Sequence, residues 1–96
     1  MPEMHFRIRW PDGTAEACYS PSLVIKDFFA PGESYPLVDF LERSRTALNI
    51  ASERVEAKYG RRCSRAMAQL NRIESTAKTF SALPEAWVTI EAFETQ

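Results

Sequence analysis

Two amphipathic repeats separated by a glycine occupy the second half of the chain, and they constrain its architecture more than any other feature. Leu37, Phe40, Leu41, Leu48, Ala51, Val55 and Tyr59 recur at spacings of three and four, with one gap bridged by Ser44. Cys63, Ala66, Met67, Leu70, Ile73, Ala77 and Phe80 do the same. A period near 3.6 residues puts each set on one face of an α-helix and leaves the charged residues on the other. The spacing predicts helices over 36–59 and 64–80. Pro36 fits an opening turn, where the missing N–H costs nothing. Gly60 suits a left-handed C-terminal cap, and Ser64 a capping position at the second start. Gly32 lies in a loop free to relax, so a valine there is expected to cost less than one at Gly60. Asp39 with Arg43, and Glu74 with Lys78, are supporting pairs at four-residue spacing.

The first half has a different period. Met4, Phe6, Ile8 and Trp10 alternate with His5, Arg7 and Arg9, as in a half-buried strand. Trp10-Pro11-Asp12-Gly13-Thr14 is a turn, and residues 15–20 return as a second strand. Two registers compete. A type I turn with a glycine bulge sets Trp10 opposite Thr14 and Phe6 opposite Cys18. A two-residue Asp12-Gly13 turn sets Phe6 opposite Tyr19 and Arg9 opposite Glu16, with better apolar pairing and a cross-strand ion pair. The first suits Pro11, which cannot donate to the ladder, and is preferred. Ser20-Pro21-Ser22 ends the hairpin, and residues 23–29 read as a short extended segment or third strand. Residues 30–34 read as a loop. Leu83-Pro84-Glu85 closes the helical part, and Trp87 to Ile90 with Phe93 form a last strand rich in β-formers. The order β-β-(β)-α-α-β implies an α+β fold in one domain over 1–96. Two helices pack on one face of an antiparallel sheet, and the last strand returns beside the hairpin.

A chain of 96 residues supports one core. Its 45% hydrophobic and 26% charged residues are an ordinary globular mixture. Twelve basic against thirteen acidic side chains, a net charge of −1, argue against a nucleic-acid binder, which needs a basic excess for phosphate contacts. The first residues lack the apolar run of a signal peptide, and no stretch has the length of a membrane span, so no membrane partner is expected. A cytoplasmic protein with reduced thiols is the expectation.

His5 with Cys18 and Cys63 lacks the paired spacings of a structural zinc site, so no metal is assigned. No catalytic or cofactor-binding residue is assigned either, since no serine–histidine–acid set, phosphate loop or dinucleotide fingerprint occurs. Cys63 begins a helix among arginines, which favours a thiolate. It also begins the apolar stripe through Met67 and Leu70, and a small buried hydrophobe is the preferred reading. Arg61, Arg62 and Arg65 beside helix-start amides are a candidate anion site, against the plainer reading of a solvated loop. Tyr19, Phe28, Phe29 and Tyr35 are candidate interface residues, with core packing as the equal alternative.

Several segments together resemble a known family. They are Met4-x-Phe6-x-Ile8-x-Trp10-Pro11-Asp12-Gly13, Cys18-Tyr19-Ser20-Pro21-Ser22, Tyr35-Pro36-Leu37 with Phe40, and Ala51-Ser52-Glu53-Arg54-Val55 with Lys58-Tyr59-Gly60. The pattern is similar to a small bacterial family of nitrogen-starvation response proteins, through nearly the whole chain. The resemblance implies a gene cluster with a nitrilase, a radical-SAM protein, an acetyltransferase-like protein and a flavoprotein, linked to nitrogen scavenging from nitriles or cyanide. It brings no established catalytic residues. The expectation is a non-enzymatic accessory or regulatory binding protein, whose partner is an enzyme of nitrogen metabolism or a second copy of the chain. One alternative is a small-ligand-binding or catalytic subunit that uses Arg61 to Arg65. Another is a single-stranded nucleic-acid binder that uses Arg7 and Arg9 beside Trp10.

Overall fold

The hairpin turn sets the register of the whole sheet. In the computed structural model, which describes residues 2–83 and 85–95, the Trp10 amide donates to the Thr14 carbonyl at 2.8 Å, and the Gly13 amide donates to the Trp10 carbonyl at 2.8 Å. Gly13 takes the left-handed position at φ 89°. Strands β1 (Met4–Arg9) and β2 (Ala15–Ser20) therefore pair with Phe6 opposite Cys18, the register that Pro11 favours. Strand β3 (Ser34–Pro36), helix α1 (Leu37–Tyr59), helix α2 (Ser64–Lys78) and strand β4 (Trp87–Thr95) follow. The antiparallel sheet has the order β2-β1-β4-β3, so the last strand inserts between the hairpin and β3. A bulge between Arg7 and Ile8 on the β1–β4 side leaves Glu91 unpaired in the ladder. Its carboxylate accepts from Arg9 Nε at 2.8 Å.

Alternation along β1 sends Met4, Phe6 and Ile8 into the core, where Val88 and Ile90 of β4 join them. Phe40, Ala47, Leu48 and Ala51 of α1 and Ala66, Leu70, Ile73 and Ala77 of α2 cover that face. The opposite sheet face carries Arg7, Arg9, Ala15 and Ala17 in solvent. Arg45 bonded to Glu74 and Ser52 bonded to Cys63 fix the two helices antiparallel. On the outer edge of β2, Gln69 Oε1 of α2 accepts the Tyr19 amide at 2.9 Å.

Several expectations change. Residues 23–29 are not a strand, because Leu23–Asp27 forms a 3-10 helix. The Ser22 hydroxyl accepts the Val24 amide, the Ser20 hydroxyl donates to the Ser22 carbonyl, and the Phe28 and Phe29 amides both donate to Ile25. These local bonds outweigh the extended preference of Val24 and Ile25. The third strand comes instead from the supposed loop, where Ile90 donates to Glu33 and Gly32 donates to Ile90. Pro36 ends β3 and stands one residue before α1. The cap of α2 is Cys63 rather than Ser64, with no side-chain capping bond, and α2 stops at Lys78. Pro84, assigned to the close of the helical part, lies outside the described residues.

Gly60 caps α1 as the sequence predicts, at φ 83° with its amide donating to Glu56 at 2.8 Å. Gly32 is held just as firmly, at φ 87° with its amide on Ile90 at 2.7 Å. A Cβ would meet nothing within 4 Å at either position, so the cost of a side chain is conformational. Gly32→Val and Gly60→Val are therefore expected to destabilise equally, each by about 1–2 kcal/mol or slightly more for the β-branch. Thermal melts of the two variants check this. A near-native Gly32→Val would show that the loop relaxes.

Candidate binding groove

The start of α1, the end of α2 and the connection into β4 meet around a groove of about 560 Å³. Leu37, Val38 and Leu41 form one wall, Ala77 the other, and Leu83 and Ala86 the end. Local bonds account for the opening. The Thr79 and Ser81 hydroxyls donate to the carbonyls of Thr76 and Lys78 and tighten the end of α2. Phe80 then turns inward and stacks on Trp10 at 5.8 Å between ring centroids. The Leu37 amide donates to the Ala86 carbonyl at 2.9 Å and ties α1 to the returning chain. Alanine at positions 77 and 86 leaves the space between these elements unfilled.

The lining is mostly aliphatic, with three charged residues. Arg45 Nε donates to Glu74 at 2.7 Å, so those two charges satisfy each other. Lys78 has no ion-pair partner among the described residues. Two apolar residues of the lining are largely exposed, Val38 at 71% and Leu83 at 51%. Trp87, 50% exposed and opposite Pro36 in the sheet, is not one of the lining residues.

The candidate residues named from the sequence lie elsewhere. Arg61, Arg62 and Arg65 are exposed near the turn between the helices. Arg62 donates to Asn49 at 3.3 Å, while Arg65 lies 3.8 Å over the Tyr19 ring and 3.9 Å from Glu3, so these two guanidiniums are directed to separate partners. Phe29 is core, packed on Phe6, Tyr35 and Phe40. Tyr19 is also buried, and Phe28 and Tyr35 are half-buried. The Tyr35 hydroxyl accepts the Ala30 amide, and Arg43 stacks on its ring. Trp10 turns its ring inward against Phe40, away from the strand face that carries Arg7 and Arg9.

Cys18 is wholly buried, and desolvation, helped by the charge of Glu16, pushes its thiol well up. Burial likewise raises the Tyr19 hydroxyl to about 12, reinforced by its hydrogen bond to Glu3. Cys63 is half-buried against the core, and its amide donates to the Ser52 hydroxyl. It shares a cleft of about 220 Å³ with Glu3, Tyr19, Pro21, Val55 and Tyr59. Among the described residues, no three histidine, cysteine or acidic side chains group as metal ligands, and no helix is long and apolar enough to cross a membrane. The sequence reading missed the groove. Val38, apolar but off the α1 stripe, was the one visible sign of it.

No curated protein and no solved structure matches the chain. A protein-family model does match, over residues 5–93, and its description is nitrogen starvation-induced protein NitG.

Proposed function

The chain belongs to the family of nitrogen starvation-induced protein NitG, and from that membership we propose a non-enzymatic accessory or regulatory protein that acts by binding. Its partner is an enzyme of nitrogen-scavenging metabolism in the cytoplasm, such as one that acts on nitriles or cyanide. The observation that carries this reading is the aliphatic groove, with Val38 and Leu83 of its lining largely exposed. A contiguous apolar surface at the meeting of three elements is the usual mark of an interaction site. Within its lining, Arg45 and Glu74 pair with each other.

A photocrosslinking side chain at Val38 tests the reading in nitrogen-starved cells, with the same group at Arg61 as control. The expected result is one enzyme of nitrogen metabolism captured from Val38 and not from Arg61. Equal capture from both positions would remove the groove from consideration. Val38→Asp, at an exposed site, is expected to keep the native melting temperature within a few degrees and to abolish that capture.

A further inference from the structure

We propose that the groove receives an amphipathic helix of the partner, oriented by an acidic side chain that pairs with Lys78. The proposal rests on the reading of the groove as the working surface and adds the chemistry of its occupant. The α1 wall runs from Leu37 to Arg45, and that rise is about 12 Å, a little over two helical turns. Two turns of a docking helix present apolar anchors at i, i+3 or i+4, and i+7, the recurring mode of helix-in-groove recognition. A small ligand seated between Leu41 and Ala77 would leave much of Val38 and Leu83 in solvent. A helix lying along the groove covers them, so their exposure decides between the two occupants.

Charge sets the second half of the proposal. The chain as a whole is acidic by one charge, yet the groove lining holds two cations against one carboxylate. Arg45 is neutralised by Glu74, which leaves the ammonium of Lys78 as the free charge. Lys78 stands in the last turn of α2, where the partial negative charge of the helix end steadies a cation without providing a counterion. An acidic side chain next to the apolar stripe of the incoming helix would meet that ammonium, fixing the direction in which the helix lies.

Selection of random 16-residue peptides displayed against the intact protein is the test, with the selected peptides then synthesised and titrated. The expected peptides share an apolar stripe at helical spacing and an aspartate or glutamate within one turn of its end. Lys78→Glu is expected to weaken them about fivefold, as for a partly exposed ion pair, and to favour peptides in which the acid is replaced by lysine. Val38→Asp is expected to weaken them at least tenfold. Peptides without an acidic preference, or unaffected by Lys78→Glu, would overturn the proposed chemistry even if Val38 still captures an enzyme in cells. Peptides insensitive to Val38→Asp would overturn the site. A concentration-dependent dimer broken by Val38→Asp in sedimentation would assign the groove to a second copy instead.

Discussion

Phe40→Ala is expected to lower stability by about 3–5 kcal/mol, the cost of truncating a fully buried aromatic ring. Phe40 is 0% exposed and belongs to α1. Its ring meets Trp10 at 5.6 Å and Phe29 at 5.4 Å. Trp10 in turn stacks on Phe80, and Phe29 on Phe6, so one ring joins the hairpin, the segment before β3, α1 and the end of α2. At about 4–8 °C per kcal/mol for a domain of this size, the melting temperature should fall by about 12–40 °C. Since such domains are stable by only about 5–15 kcal/mol, the variant will be marginal. Phe40→Leu, which keeps most of the volume, should cost under about 1.5 kcal/mol and gives a folded comparison. A loss below about 1 kcal/mol for the alanine variant, by chemical denaturation, would show that the aromatic cluster does not tie these elements together.

Stability is expected to fall above pH 9, in two stages that belong to neighbouring residues of β2. The ordinary value for a cysteine thiol is 9.0 and for a tyrosine hydroxyl 10.0, and both are raised in the fold. Cys18 is raised mainly by burial, and Tyr19 by burial and then by its bond to Glu3. Both groups are neutral when protonated, and the folded chain holds its protons more tightly than the unfolded chain does. Their contribution is therefore complete below pH 9. Between 9 and 10 the unfolded chain loses the Cys18 proton first, at a cost of up to about 1.4 kcal/mol per pH unit. From 10 to about 12 the Tyr19 loss adds to it. Denaturant midpoints measured between pH 7 and 11 check the curve. Cys18→Ala should remove the first stage and Tyr19→Phe the second. A wild-type profile flat to pH 11 would mean that water reaches both groups in the folded state. In the same series Cys18 should react with a thiol reagent only as fast as the protein opens, while half-buried Cys63 reacts from the folded state.

The parts of the fold that were readable are those fixed by local chemistry. Pro11 and Gly13 set the hairpin register, and apolar spacing with Gly60 set both helices. The third strand was not readable, because Ser34–Pro36 is extended only through pairing with a strand more than fifty residues later. Residues 23–27 misled in the opposite direction: their apolar run resembles a strand, but two serine hydroxyls coil the chain. The groove was hidden for a third reason. It exists because Ala77 and Ala86 are too small to fill the space between their neighbours, and no pattern of residues advertises a missing volume. Aromatic content pointed to Tyr19, Phe28, Phe29 and Tyr35, yet whether a ring is buried depends on what packs over it, which spacing along the chain does not record.

The treatment of the two sheet edges limits how this protein can be approached. On β2, Gln69 already occupies the Tyr19 amide, one of the groups with which an incoming strand would start a ladder. On the other side β3 is three residues long and ends in Pro36, which has no amide to offer. Those two stretches are poor templates for another chain to extend, whereas β4 runs past β3, whose pairing and flanking bonds stop at Ile90. Main-chain pairing by an incoming strand is therefore confined to β4 over 91–95, and along β2 and β3 recognition is left to side chains.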